Sequence, residues 1–233
     1  MIDFRLGRYQ DVLQDVTCDA VICDPPYGQR THDGHDAAVN GHIGEGKDSA
    51  QRRDLGYGFW DECEVSGFMC HWAPRCRGWF AVMTSHDLAR NWEEVMQGCG
   101  LYVFAPIPCV IPGMTVRLGG DGPSSWAVWL IVARPKKAPY AKWGTLRGAY
   151  EATRDRDSHI GGKPLALMNA IIRDYSRPGD LICDPCAGGG TTLIAAASQG
   201  RRAVGSEMDP ETYAKAKRRI DAGYTPDWIE ATQ

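Results

Sequence analysis

DLICDPCAGGGTTLIAAAS, residues 180–198, is the stretch that decides the fold. Leu181, Ile182 and Cys183 form the short apolar run of a strand buried on both faces. Pro185 ends that run, and Gly188, Gly189 and Gly190 follow it. Thr191 to Ser198 then reads as a helix. Strand, glycine turn and helix open a nucleotide-binding α/β unit, because glycines let a ligand approach the backbone closely. A second strand, Arg202 to Ser206, ends in Glu207, an acidic residue about 20 positions past the glycines, where a ribose hydroxyl would be gripped. Leu193 stands where the third glycine of a nicotinamide fingerprint belongs, and no Walker lysine follows the glycines. An adenosine ligand without a pyrophosphate fits better, and S-adenosylmethionine is the obvious candidate.

A second signal lies far upstream. The apolar run Ala20-Val21-Ile22-Cys23 leads into Asp24-Pro25-Pro26-Tyr27. A strand that meets two prolines has no further ladder donors to offer. The chain must turn there and leave a carboxylate and a phenol at the strand's C-terminal edge, where open parallel sheets bind ligands. A carboxylate, carbonyls fixed by proline and an aromatic ring suit a planar base bearing an exocyclic amine. The ring stacks on the base and the oxygens accept the amine's hydrogens.

These residues resemble the amino-methylating DNA methyltransferases, which modify adenine N6 or cytosine N4. Asp24 to Tyr27 resembles the family's catalytic tetrapeptide, and Asp184 to Thr192 its cofactor loop. His159, Lys163 and Pro164 keep the spacing of the family's histidine and lysine-proline segment. Catalytic motif first and cofactor loop second is the order of the circularly permuted beta class. The resemblance spans roughly Ile2 to Tyr224. It implies a catalytic set of Asp24, Pro25, Pro26 and Tyr27. It implies a cofactor set of His159, Lys163, Asp184, Cys186, Ala187, Gly188, Gly190, Thr191 and Glu207. It also implies DNA as partner, a base flipped out of the duplex and, for many members, a restriction-modification context. Asp at the first position of the tetrapeptide points to adenine, with cytosine N4 as the alternative. Cys186 stands where the family usually has phenylalanine, Ile160 where proline is common, and Leu6-Gly7-Arg8 where Gly-Asp is frequent. An RNA methyltransferase is a further reading, disfavoured by the motif order. A non-catalytic DNA- or cofactor-binding module is another, disfavoured by the intact Asp24 and Tyr27.

Strands alternating with helices predict an α/β three-layer sandwich around a mainly parallel, Rossmann-like sheet. The 233 residues suit a single domain. Helices are expected over Glu62–Trp72, His86–Gln97, Pro164–Tyr175 and Pro210–Ala222. Leu101–Val110 and Trp126–Ala133 are expected to be the last two strands, an antiparallel pair. Residues 28–58 are polar and glycine-rich, which predicts a mobile loop beside the tetrapeptide.

The net charge of −3 conceals an uneven distribution. Arg134 to Lys163 holds eight basic and three acidic residues, a net +5, against −8 for the remainder. With Tyr140, Trp143 and Tyr150 interleaved, this stretch suits phosphate contact and base stacking. Residues 135–162 are therefore expected to be a short target-recognition segment. Lys136, Lys137, Lys142 and Arg147 are its DNA contacts, and Arg30, Arg52 and Arg53 are those of the first loop. So short a segment suits a short recognition sequence, loose specificity or a homodimer.

Nine scattered cysteines, several in apolar runs, predict reduced thiols in a cytoplasmic protein. No run of about 18 apolar residues predicts a membrane span. Cys183 and Cys186 form a C-x-x-C that falls out of the cofactor motif, so redox chemistry is not expected. Cys63, Cys70, His71 and Cys76 match no familiar zinc spacing, and no metal site is expected.

Overall fold

The computed structural model describes residues 1–29, 58–113, 126–137, 143–153 and 162–223. Nine strands among these residues form one sheet. They are β1 (Ile2–Leu6), β2 (Cys18–Cys23), β3 (Cys76–Thr84), β4 (Leu101–Val103), β5 (Ile107–Val110), β6 (Ala127–Pro135), β7 (Tyr150–Glu151), β8 (Leu181–Asp184) and β9 (Arg202–Glu207). The spatial order is β1-β9-β8-β2-β3-β6-β5-β7, and β4 also pairs with β6. β1, β9, β8, β2 and β3 run parallel to one another, and β6 is antiparallel to β3, β4 and β5. The sheet is therefore mixed and mostly parallel, as the alternating pattern predicts.

Six helices flank it among the described residues: α1 (Tyr9–Val12), α2 (Glu62–Trp72), α3 (His86–Gly98), α4 (Leu165–Tyr175), α5 (Thr191–Ser198) and α6 (Pro210–Asp221). Successive side chains of a strand point to opposite faces, so β2 and β3 feed two cores. Ala20, Ile22, Trp79 and Ala81 pack with α4, α5 and α6. Val21, Cys23, Phe80 and Val82 pack with α1, α2 and α3. Three layers result.

Helix starts follow their local chemistry. At α2, Asp61 accepts from the amides of Cys63 and Glu64 while Glu64 reaches back to the Asp61 amide, a complete capping box. At α6, Asp209 caps the helix and Pro210 opens it.

Two expectations need correction. The strand expected over Leu101–Val110 is two short strands, β4 and β5, because Pro106 cannot donate to the ladder and the chain steps there. The 135–162 segment carries a strand that no pattern signalled. β7 is two residues long, and Tyr150 and Glu151 extend the sheet beside Cys109 and Val110. Two residues are too few to show alternation.

Candidate active site

Register brings the two sequence motifs together. Ala20 and Val21 of β2 pair with Ile182 and Cys183 of β8, so the Asp24 turn and the glycine turn leave the same edge of the sheet side by side. Asp184 pairs with Gly205 of β9, which sets Glu207 just beyond the glycines. Any Cβ at Gly205 would meet the Asp184 carbonyl at 2.7 Å, so only glycine allows these strands to lie this close.

The carboxylate of Asp24 is held at both oxygens. The Tyr27 hydroxyl donates to Oδ1 at 2.7 Å and Lys163 Nζ donates to Oδ2 at 2.5 Å. Lys163 is 7% exposed and its ammonium also lies 4.9 Å from the centre of the Tyr27 ring. Resemblance places Lys163 in the cofactor set, but its bonded partner here is the carboxylate of the tetrapeptide. Such a buried charge-assisted bond is worth about 1.5–3 kcal/mol. Should the chain carry out the methyl transfer that the resemblance implies, replacing Lys163 with methionine lowers its turnover ~10- to 100-fold and barely changes cofactor affinity. A large loss of cofactor affinity at unchanged turnover would return Lys163 to the cofactor set.

The turn itself is pinned from below. The Gly28 amide donates to Ser85 Oγ at 3.3 Å, and the Trp60 amide donates to the Tyr27 carbonyl at 3.0 Å. A Cβ at Gly28 would meet the Asp87 carboxylate at 2.4 Å. Ser85 and Asp87 have no signal in the sequence because their role depends on β2 and β3 being neighbours.

In the glycine turn, Gly188 has φ +50° and Gly190 φ +76°, both in the left-handed region that favours glycine. A Cβ on Gly188 meets nothing within 4 Å, so that residue faces open space. Its amide donates to Glu207 Oε2 at 3.0 Å, and the Asp209 amide donates to Oε1 at 2.8 Å. Two amides thus orient the Glu207 carboxylate, and each oxygen keeps a lone pair for a further donor. The Thr191 hydroxyl accepts from Arg219 at 3.0 Å, and the same guanidinium nitrogen holds the Gly189 carbonyl. Thr191, expected in the cofactor set, is thereby tied to a clamp on the loop, and Arg219 went unread because it lies on the distant α6.

Asp184 is buried, and burial pushes its carboxyl up to about 7. The negative charges of Asp24 and Glu207 push the same way, while bonds from the Thr192 side chain and the Cys186 amide pull it back. Folded, the group holds a proton that the unfolded chain releases near its ordinary value of 3.8. Folding thus takes up a proton between about pH 4 and 7, and the ligand-free protein should lose stability as pH rises through that window. Asp184→Asn should flatten the decline, worth a few kcal/mol at roughly 1.4 kcal/mol per unit. Thermal midpoints at pH 5 and pH 8 check this, and equal pH dependence in both proteins would contradict it.

Cys183 and Cys186 do not form an activated pair. Burial and neighbouring carboxylates hold both thiols above their ordinary range, the opposite of what a reactive thiolate needs. No described helix is long and apolar enough to cross a membrane.

Within the basic segment, Lys163 reaches this edge, whereas Lys136 and Lys137 do not. β6 runs antiparallel to β3, with Ala133 opposite Phe80. Lys136 and Lys137, just past β6, therefore sit at the edge where β3 begins, across the sheet from Asp24. Arg147 pairs with Asp174 at 3.6 Å and lies over the Tyr150 ring. Lys136 and Lys137 thus emerge across the sheet from the catalytic turn, and Arg147 lies against Asp174 near the end of α4. Charge counting along the chain could not show on which edge each residue emerges. Arg30, Arg52, Arg53, Lys142, Tyr140 and His159, and nearly all of the expected 28–58 loop, lie outside the described residues.

Residues 123–218 match a family model described as DNA methylase. DNA adenine methyltransferase YhdJ of Escherichia coli (strain K12) is 36% identical over 86 residues, which are 37% of this chain and 29% of that protein. Type II methyltransferase M.BglI of Bacillus subtilis is 30% identical over 99 residues, 42% of this chain and 28% of that one. The chain thus spans under a third of the length of these curated relatives. Among solved structures, the M1.HpyAVI–SAM complex superposes with a TM-score of 0.68 at 21% identity, covering 95% of this chain and 100% of that one. The PvuII DNA methyltransferase, titled cytosine-N4-specific, superposes at 0.64 with 15% identity, covering 99% and 90%.

Proposed function

We infer that this chain, whose residues 123–218 match the family model described as DNA methylase, transfers a methyl group from S-adenosylmethionine to the exocyclic amine of a base in DNA. The observation that carries this reading is the pairing of β2 with β8, which sets the Asp24 carboxylate beside the glycine turn.

The residues suit such a donor. Asp24, Asp184 and Glu207 are close enough that the first and last raise the proton affinity of the second. The negative charge of Glu207 favours a cationic donor, and its oxygens offer lone pairs to a ribose. Open space at Gly188 leaves room against the backbone. Bound there, the sulfonium supplies an electrophilic methyl carbon.

The chain's own residues prepare the other reactant. An exocyclic amine is a poor nucleophile because its lone pair is delocalised into the ring. Asp24 and the Pro25 carbonyl accept its N–H groups and draw the lone pair onto nitrogen as that atom becomes tetrahedral. Such bonds strengthen toward the transition state, which is what lowers a barrier. Tyr27 stacks on the base. The methylated amine then loses its extra proton to Asp24 or to water. Both oxygens of Asp24 already hold a donor, so the incoming amine takes a remaining lone pair or displaces the Tyr27 hydroxyl, while Lys163 keeps the carboxylate aimed. A base within a duplex is out of reach, so the target is flipped out.

Adenine N6 is the preferred target because Asp, rather than Ser, opens the tetrapeptide. YhdJ carries adenine in its name, while the PvuII enzyme keeps cytosine N4 as the second reading. The test is methyl transfer to duplexes, followed by digestion and mass analysis of the nucleosides. N6-methyladenine is expected. N4-methylcytosine alone would move the assignment to cytosine, and no methylated nucleoside on any DNA would remove the reading.

A further inference from the structure

A cavity of about 410 Å³ opens at the sheet edge opposite Asp24, and nothing in the proposed reaction uses it. Its size falls within the roughly 300–1,000 Å³ of small-molecule sites. Trp79, at the start of β3 and 5% exposed, is the centre of its aromatic wall. The Trp79 ring lies 5.5 Å from Trp143 at 86°, 5.2 Å from Tyr175 and 5.7 Å from Phe104. These are edge-on and tilted contacts, the geometry of rings locked in place. Arg177 stacks on Trp143 at 3.8 Å and fixes that indole further.

The wall also carries charge. Arg134, on β6, is 3% exposed, and its guanidinium carbon lies 5.7 Å from the Trp79 ring and 5.8 Å from that of Phe104. Burying a cation is costly, and stacking on ring faces recovers part of the cost. Arg147 also lines the cavity, half-exposed, and its ion pair with Asp174 is loose at 3.6 Å. Rings that accept a flat face, beside guanidinium groups that accept an anion, select a planar molecule bearing negative charge. The site is separate from the catalytic edge. Lys163 beside Asp24 precedes α4 and Tyr175 ends it, so the helix sets them about 16 Å apart at 1.5 Å per residue.

We propose that this cavity binds a mononucleotide, its base stacked against the half-buried Trp143 and Phe104 and its phosphate held by Arg147. The partner is a free nucleotide rather than a DNA strand bound at the catalytic turn, since the cavity lies beside Trp79, which pairs with Ala20 well before β2 reaches Asp24.

The test uses the full chain saturated with S-adenosylhomocysteine, so that adenosine-type probes cannot enter the cofactor cleft. AMP, adenosine and inorganic phosphate are titrated by tryptophan fluorescence and calorimetry. AMP should saturate one site and quench emission, and adenosine should bind at least about tenfold more weakly. Trp143→Ala and Arg147→Ala should each weaken AMP about tenfold or more, with S-adenosylhomocysteine affinity and circular dichroism unchanged. Arg147→Ala removes only a half-exposed side chain, so it keeps the test sound if Trp143→Ala unfolds. No saturable AMP binding at millimolar concentration would overturn the proposal. So would AMP affinity unchanged in both variants, or adenosine binding as tightly as AMP.

Discussion

Asp24→Ala should lower methyl transfer by roughly 10²–10⁴-fold, the range for removing a group that acts on the transition state. Cofactor affinity should stay within a few fold. Asp24 faces the attacking amine in this reading, and its bonded partners are Tyr27 and Lys163 rather than the glycine turn. The variant also frees Lys163, which is 7% exposed and loses its counter-ion. Asp24→Asn is therefore the companion, since it keeps the shape and part of the bonding. Single-turnover assays with calorimetry of S-adenosylmethionine binding separate the two effects. Turnover near the unmodified level would remove the proposed chemistry. A collapse of cofactor binding alone would put Asp24 against the methionine end of the donor.

Gly188→Val should have the second large effect, on binding. At φ +50° a β-branched residue is strained by about 1–3 kcal/mol. Its side chain would also project into the open space where the donor would lie. Strain at Gly188 pulls its amide from Glu207 and so loosens the carboxylate meant for the ribose. Affinity for S-adenosylmethionine should fall at least ~100-fold, since every 1.4 kcal/mol is a factor of ten. Glu207→Ala should weaken binding by a different route, leaving the Gly188 and Asp209 amides without their acceptor. Unchanged calorimetric affinity in both variants would show that the donor lies elsewhere.

The parts legible in the sequence are those that local chemistry determines. Pro25-Pro26 had to end β2, and Pro185 with three glycines had to end β8, whatever surrounded them. Their adjacency required only that a parallel sheet place both ends on one edge, and the register of Ala20 with Ile182 meets that requirement. What could not be read depends on the third dimension. Lys163 lies 139 residues from Asp24 along the chain, and no spacing rule links them. The basic segment looked uniform in charge, yet antiparallel β6 delivers Lys136 and Lys137 to one edge, whereas the parallel β7 leads on toward the other. The aromatic residues read as stacking partners proved divided too. Trp143 closes a cavity with Trp79, and Tyr150 donates to Asp174 at 2.9 Å.

Among the described residues β1 pairs with β9 alone, Ile2 beside Ala203 and Leu6 beside Glu207. On the ribosome, β1 is therefore made long before β9, the neighbour it needs. The Asp24 turn waits almost as long for β8. At about 5–20 residues per second, the half-built cleft spends ~10–30 s without its second wall. Pulse-chase proteolysis should find β1 cleavable until β9 emerges, which makes β1 the place where a holdase chaperone would be needed.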